Sequence, residues 1–276
     1  MKSFPPTPTA EDAPELFESG HLWLLERVDG APLRVQLQSS GLLRFGDGDR
    51  AYDDADELPL SVQHAVRHIQ EHLDRDALRA AVDDPESVVL LGVATRYEGV
   101  DYDWERLPAF LGVDVWPGSE SGFRPPDAGQ AIFERLGLQP VNTFERERRA
   151  RDFDPGDYEM PTSNWYDGPA AGVLVRNKRG GRAVLRNSEV EQEPAPLNLP
   201  AEELAAAYAT SERFESVATT LRERDWTVTV ETLCERVVEE IVREEYARLD
   251  AGREQLDESA FTSAVARRAR QHLGSG

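Results

Sequence analysis

Glu26-Arg27-Val28-Asp29-Gly30 sets a guanidinium between two acids, just after an apolar run and just before a glycine. An amine at such a turn could serve as a nucleophile, whereas a fixed cation could only neutralise an anion. Attack needs a neutral amine, and a lysine can be tuned to a pKa near 7 or 8 by a cationic, partly desolvated site. A guanidinium titrates far above that range, so roughly 10⁻⁷ of it is neutral at pH 7, and deprotonation alone adds about 9 kcal/mol to a barrier. Arg27 is therefore not expected to act as a nucleophile. Arg44, Arg50, Arg176, Arg179, Arg182 and Arg186 add further cations. Against this stands a plainer reading, in which Asp29-Gly30 is a turn between strands and the arginines pair with an acidic surface.

Other groups invite chemistry and have simpler explanations. His64, His68 and His72 fall on one face of a helix, but no matching carboxylates suggest a metal site. Glu98, Asp101 and Asp103 read as solvated loop acids. The strip Glu145-Arg146-Glu147-Arg148-Arg149-Ala150-Arg151 could touch an anionic polymer, although its interleaved glutamates favour self-pairing. Trp104, Trp116, Trp165 and Trp226 are expected in packing, and Cys234 as a small buried hydrophobe.

The elements that position these residues follow from patterning. Extended segments are expected at His21 to Val28, Leu33 to Leu37 and Gly41 to Phe45, with Gly30-Ala31-Pro32 interrupting the first two. A helical insert from Leu60 to Val82 carries Val62, Val66, Ile69 and Leu73 at helical spacing, followed by buried strands around Val88 to Val93 and Phe110 to Trp116. Gly172 to Arg176 and Arg182 to Arg186 flank a turn at Arg179-Gly180-Gly181. Glu193-Pro194-Ala195-Pro196 marks a boundary, beyond which Leu204, Tyr208, Phe214, Val217, Leu221, Leu233, Val237 and Ile241 recur as in helices.

Across the 276 residues, 31 Lys+Arg stand against 52 Asp+Glu, a net charge of −21, with 39% hydrophobic residues. That balance supports a packed core under a strongly acidic surface. Lysine occurs only at Lys2 and Lys178, a bias that fits a high-salt cytosol, where the Debye length falls to roughly 3 Å and self-repulsion is screened. A single cysteine excludes an internal disulfide, and the five histidines show no zinc spacing. With no apolar run long enough for a signal peptide or a membrane span, the expectation is a soluble, cytoplasmic protein.

Taken in order, Arg27-Val28-Asp29-Gly30, the Arg44-Phe45-Gly46 and Arg50 turn, Leu91-Gly92-Val93-Ala94-Thr95, Leu111-Gly112-Val113-Asp114-Val115-Trp116, Ala171-Gly172-Val173-Leu174-Val175-Arg176 and Arg182-Ala183-Val184-Leu185 resemble the successive motifs of the ATP-dependent RNA ligase family of covalent nucleotidyltransferases. The whole chain looks most like the haloarchaeal members. The resemblance implies an α+β fold, with ATP-grasp-like antiparallel sheets flanking a cleft in residues 1–193 and a helical domain in residues 200–276. It also implies lysine adenylylation, AMP transfer to an RNA 5′-phosphate and nick sealing by a 3′-hydroxyl, with charge neutralisation supplying most of the catalysis.

This chain departs from that pattern at the positions that carry the chemistry. Arg27 replaces the lysine. Val93 stands where a glutamate would hold ribose hydroxyls, and Val113 stands for an aromatic that stacks on adenine, a loss on the order of 1–3 kcal/mol. Ala171-Gly172 replaces a metal-organising Glu-Gly, and of two phosphate-gripping lysines Arg182 keeps the charge while Val184 does not. Glu26, Asp29 and Gly30 retain the frame of the first motif. The implied nucleotide-binding set is thus Glu26, Asp29, Gly30, Arg44, Arg50, Val93, Val113, Ala171, Gly172 and Arg182. ATP or AMP with Mg or Mn is expected weakly or not at all, and no metal ligands are assigned. Three readings follow. One is a ligase-like protein without covalent chemistry that binds nucleotide or RNA ends, or regulates an active ligase paralogue. Another is an active ligase with an unorthodox nucleophile. The last is an interaction protein with no nucleotide site.

Overall fold

The computed structural model describes residues 1–48, 50–118, 122–190, 192–252 and 256–274. Contacts divide the chain into two units, Met1–Thr95 with Gly99–Gln192, and Arg96–Glu98 with Glu193–Gly276.

Among the described residues, the first unit holds nine strands in two antiparallel sheets. Strands β1 (His21–Glu26), β7 (Thr143–Arg149), β8 (Gly172–Arg176) and β9 (Arg182–Arg186) form one sheet in the order β7-β1-β8-β9. The other runs β4-β3-β2-β5-β6, from β2 (Gly30–Leu37), β3 (Leu43–Gly46), β4 (Ala51–Tyr52), β5 (Val89–Thr95) and β6 (Phe110–Trp116). Alternation assigns the faces. Leu22, Leu24, Val173, Val175, Ala183 and Leu185 pack with Ala13, Leu16 and Phe153 on one face of the smaller sheet. Trp23 and Leu25 point the other way and join Leu111 of β6 in a core between the sheets. Burial on both faces explains why β1 reads as a continuous apolar run. On the far face of the larger sheet, Leu33, Val35, Leu90 and Phe110 pack against Val62, Val66 and Ile69 of α1 (Leu60–His72) and Phe133 of α3 (Pro126–Arg135).

Several expectations change in detail. Gly30-Ala31-Pro32 does not interrupt the sheet, since β2 begins at Gly30 and pairs with β5 from there. Pairing with β3 starts only at Arg34, so one side of the strand is open at Pro32, where a residue lacking an N–H is tolerated. The insert from Leu60 to Val82 is two helices, α1 and α2 (Arg75–Ala81), because Leu73 is extended and Asp74 caps the second through Ala77 N at 2.8 Å. The charged strip at 145–151 is largely the edge strand β7, and its ion pair Glu145–Arg148 at 2.8 Å is the expected self-pairing. The amino-terminal segment covers the edge of β9, with Ala10 N donating to Val184 O and Val184 N to Pro8 O.

In the second unit, α4 (Ala201–Tyr208), α5 (Ser211–Glu223), α6 (Val230–Asp250) and α7 (Glu258–Gly274) bury Leu204, Phe214, Val217, Leu221, Leu233, Val237, Ile241, Phe261 and Val265. A reciprocal cap between Thr229 and Thr232 starts α6. Cys234 is buried and donates to Thr262 O. Trp226 is 38% exposed rather than packed, flanked by the guanidinium groups of Arg224 and Arg236 at 5.3 Å from its ring. No helix is long and apolar enough to cross a membrane among the described residues.

Candidate functional site

The β1–β2 link places Arg27, Val28 and Asp29 at the junction of the two sheets. Arg27 N–H donates to Gly172 O at 3.0 Å, carrying the β1–β8 ladder one rung past Glu26. Its guanidinium is 21% exposed, and Nη1 donates to Asp29 Oδ1 at 3.1 Å and to Ala171 O at 3.4 Å. Asp29 is buried, and its backbone N–H donates to the Tyr102 hydroxyl at 3.2 Å. Burial, with the Asp29 carboxylate nearby, pushes that phenol far above its ordinary value, so Tyr102 stays neutral.

Glu26 lies beneath Arg27 and is 1% exposed. Its carboxylate accepts from Ser163 Oγ at 2.6 Å, from Asn142 Nδ2 at 3.0 Å, and from the Asn164 N–H at 3.2 and 3.3 Å. Desolvation raises its pKa above 4.5 even against these three donors. Two glycines let the backbones close on this turn. A Cβ on Gly30 would lie 2.2 Å from Ala94 O, and one on Gly172 would lie 2.3 Å from Leu185 O and 3.3 Å from Arg27 Cδ.

Gly172 pairs with Arg186, so the exposed Arg186 at the end of β9 lies in line with Arg27, one strand beyond Gly172. Arg182 is not. It stands at the opposite end of β9, paired with Arg176, four residues or about 13 Å from Arg186. There Arg182 Nη1 meets Asp114 Oδ2 at 2.7 Å and Arg176 Nη2 meets Asp114 Oδ1 at 2.5 Å, all three side chains nearly inaccessible. This bridge joins β6 to β8 and β9. Burial, with Arg182 adjacent, lowers the Arg176 pKa while Asp114 works against the shift. The hairpin register alone distinguishes Arg186 from Arg182.

The remaining expected residues separate into two groups. Ala171, Val28 and Tyr102 share the apolar cluster between the sheets, with Val113 packed at its margin. Val93 faces the same way as Leu91, away from the helices, and sits against Gly30. Arg44 and Arg50 do not join the site. Arg44 pairs with Gln36, six residues or about 20 Å along β2 from Gly30, and binds Asp53 at 2.9 Å. Arg50 precedes the edge strand β4, 3.6 Å from Glu57 and over the Tyr52 ring. Sequence reasoning gave no role to Tyr102, Asn142 or Ser163, whose link to the turn exists only through tertiary contact.

Among the described residues, no three His, Cys, Asp or Glu side chains converge to hold a metal ion. His64 Nε2 contacts Thr95 O at 2.8 Å, and His68 and His72 stack at 4.2 Å. Asp103 caps a turn through the Glu105 and Arg106 N–H groups.

No family profile matches the chain, and no curated protein matches it either. Solved structures do. A glutamate-to-alanine mutant of Naegleria gruberi RNA ligase with ATP and Mn superposes with a TM-score of 0.53 at 10% identity, over 68% of this chain and 57% of that one. The same ligase with PPi gives 0.53 at 11% identity, over 68% and 56%. An archaeal ATP-dependent RNA ligase, form 2, matches all of this chain and 66% of that one at 16% identity, with a TM-score of 0.47 that is too low to weigh. The chain spans under three fifths of the Naegleria structures. The likeness is one of fold: two antiparallel sheets of an RNA ligase.

Proposed function

We propose that this protein is an RNA ligase-like phosphate binder that holds an RNA 5′-phosphate end, or the phosphate of a nucleotide, at the Arg27 turn without forming a covalent adenylate. One observation carries the reading. The group at the β1–β2 turn is a guanidinium clamped by Asp29 and by the Ala171 carbonyl, with Arg186 at the adjoining strand end. Planar guanidinium donors suit phosphate oxygens, whereas their delocalised lone pairs are unsuited to attack.

Adenosine and a metal ion fit these residues poorly. Val93, Val113 and Ala171 offer no hydrogen bonds to a ribose or a base, and Tyr102 and Trp165 belong to the apolar cluster beside them. Glu26 is committed to three donors and Asp29 to Arg27. The acidic, lysine-poor composition supports a salt-adapted, haloarchaeal-like member of this group, and an active ligase paralogue is the partner such an end-binding protein would serve.

The test has two arms. The whole chain and Arg27→Lys are incubated with α-labelled ATP and MgCl2 or MnCl2 in molar KCl, then run on a denaturing gel; neither is expected to carry label. A labelled band on the parent chain would establish an active ligase with an unorthodox nucleophile and end this reading. In the second arm, 5′-phosphorylated and 5′-hydroxyl RNA are titrated at several salt concentrations, because phosphate contacts weaken steeply as salt rises. Arg27→Ala and Arg186→Ala are each expected to weaken the phosphorylated RNA by roughly tenfold or more, the worth of a charge-assisted hydrogen bond. Equal affinity for both RNAs would remove the end-binding role and leave an interaction protein.

A further inference from the structure

An open cavity is framed by two of the residues that hold Glu26, Asn142 and Asn164. It has a volume of about 380 Å³, opens to solvent, and is lined by α3, by the 139–143 segment that crosses from one sheet to the other, and by Asn164 and Trp165. The volume is within the range of small-molecule sites. Its walls are unusual for a gap between elements, because they carry the side-chain amides of Gln130, Gln139, Asn142 and Asn164. Gln130 is used internally, donating to Thr143 Oγ1 and accepting from Arg146 Nη2 at 3.2 Å. Asn142 holds Glu26. Among the described residues, no hydrogen bond from within the chain takes up the side-chain amides of Gln139 or Asn164. Trp165, 3% exposed, also lines the space, and its indole N–H is buried without a partner.

We infer that this cavity is a pocket for an unstacked nucleobase, positioned to take a base of the strand whose phosphate end sits at Arg27. The chemistry is that of a neutral, planar ligand with donors and acceptors along one edge, which amides can match in either orientation. The cavity carries one cation, Arg146, and one acid, Glu134, so it has no net charge to select an anion or a cation. Its place in the chain links it to the phosphate turn. Asn142 and the Asn164 N–H that frame it both hold the Glu26 carboxylate, one residue before Arg27. The strand assignment rests on the end-binding reading above, whereas the base chemistry stands on the cavity alone.

The same chemistry could come from a strand or from a free nucleoside, and the experiment separates the two. The full chain is titrated with 5′-phosphorylated RNA decamers, with matched decamers bearing an abasic site near the 5′ end, and with free nucleosides. The indole N–H resonances are followed by NMR, Trp165 being assigned from Trp165→Phe. Expected are a shift of the Trp165 signal and tighter binding of the intact strand. Gln139→Ala, at an exposed position, and Trp165→Phe should each weaken the intact strand about fivefold and leave the abasic strand unchanged. If intact and abasic strands bind equally, or the variants weaken both alike, there is no base pocket and end binding survives. If strands fail to bind while nucleosides shift Trp165, the pocket stands and the end-binding reading falls. Silence with every ligand overturns both.

Discussion

Replacing Glu26 tests whether the turn is held from below by a buried carboxylate. In Glu26→Ala the Ser163 hydroxyl, the Asn142 amide and the Asn164 N–H all lose their acceptor. Asn142 is half-buried and can turn to water, while Ser163 is buried and the Asn164 N–H is fixed by the backbone. Two stranded donors at about 1–3 kcal/mol each, less the relief of removing a desolvated charge, give a net loss of roughly 2–4 kcal/mol. Glu26→Gln keeps an acceptor for Ser163 and Asn164 and needs only a rotation of the Asn142 amide, so it should stay within about 1 kcal/mol of the parent. The pH dependence has a definite sign. Burial raises the Glu26 pKa above 4.5 in the folded protein, so its contribution is fully present below pH 4.5 and is lost as pH rises through the raised value. Glu26→Gln has no such titration, and its stability relative to the parent should improve across that window. Urea unfolding, followed by tryptophan fluorescence at pH 4 to 8, measures both effects. An alanine variant as stable as the parent, or a Gln-to-parent difference that is flat with pH, would refute the reasoning.

Three further outcomes are expected. Asp114→Asn leaves Arg176 and Arg182 without their shared carboxylate in the interior and should cost about 3–5 kcal/mol; a loss below 1 kcal/mol in urea unfolding would show that water reaches the pair. Gly172→Ala drives a Cβ into Leu185 O and against Arg27, so backbone must shift, and a loss of about 1–3 kcal/mol in unfolding experiments should accompany weaker binding of phosphorylated RNA. The net charge of −21 should make the thermal midpoint rise between dilute buffer and molar KCl; a midpoint that falls or stays level in a thermal scan would remove self-repulsion as a factor.

Much of the architecture is legible in local pattern. The hairpin from Gly172 to Arg186 follows from two alternating apolar runs around Gly180-Gly181, and the helices after Pro200 follow from spacing near 3.6. Elements with weak patterns escape. Strand β7 is nearly all charged because it is an edge strand, so hydrophobic alternation cannot announce it. Helix α3 contains Gly129 and only a narrow apolar face, built around Phe133. The break between α1 and α2 depends on an extended Leu73 that no periodicity marks.

For the candidate site, the identity of the residue at position 27 settles from sequence that a guanidinium, not an amine, stands at the turn, because side-chain chemistry is carried by the residue type itself. Which arginine lies in line with it across Gly172, Arg186 rather than Arg182, depends on strand register. The partners of Glu26 come from more than a hundred positions away along the chain, and the buried bridge of Asp114 with Arg176 and Arg182 joins residues from separate sheets. These juxtapositions were decided by the tertiary structure alone, since hydrogen bonds and ion pairs depend on distance in space, which separation along the chain does not encode.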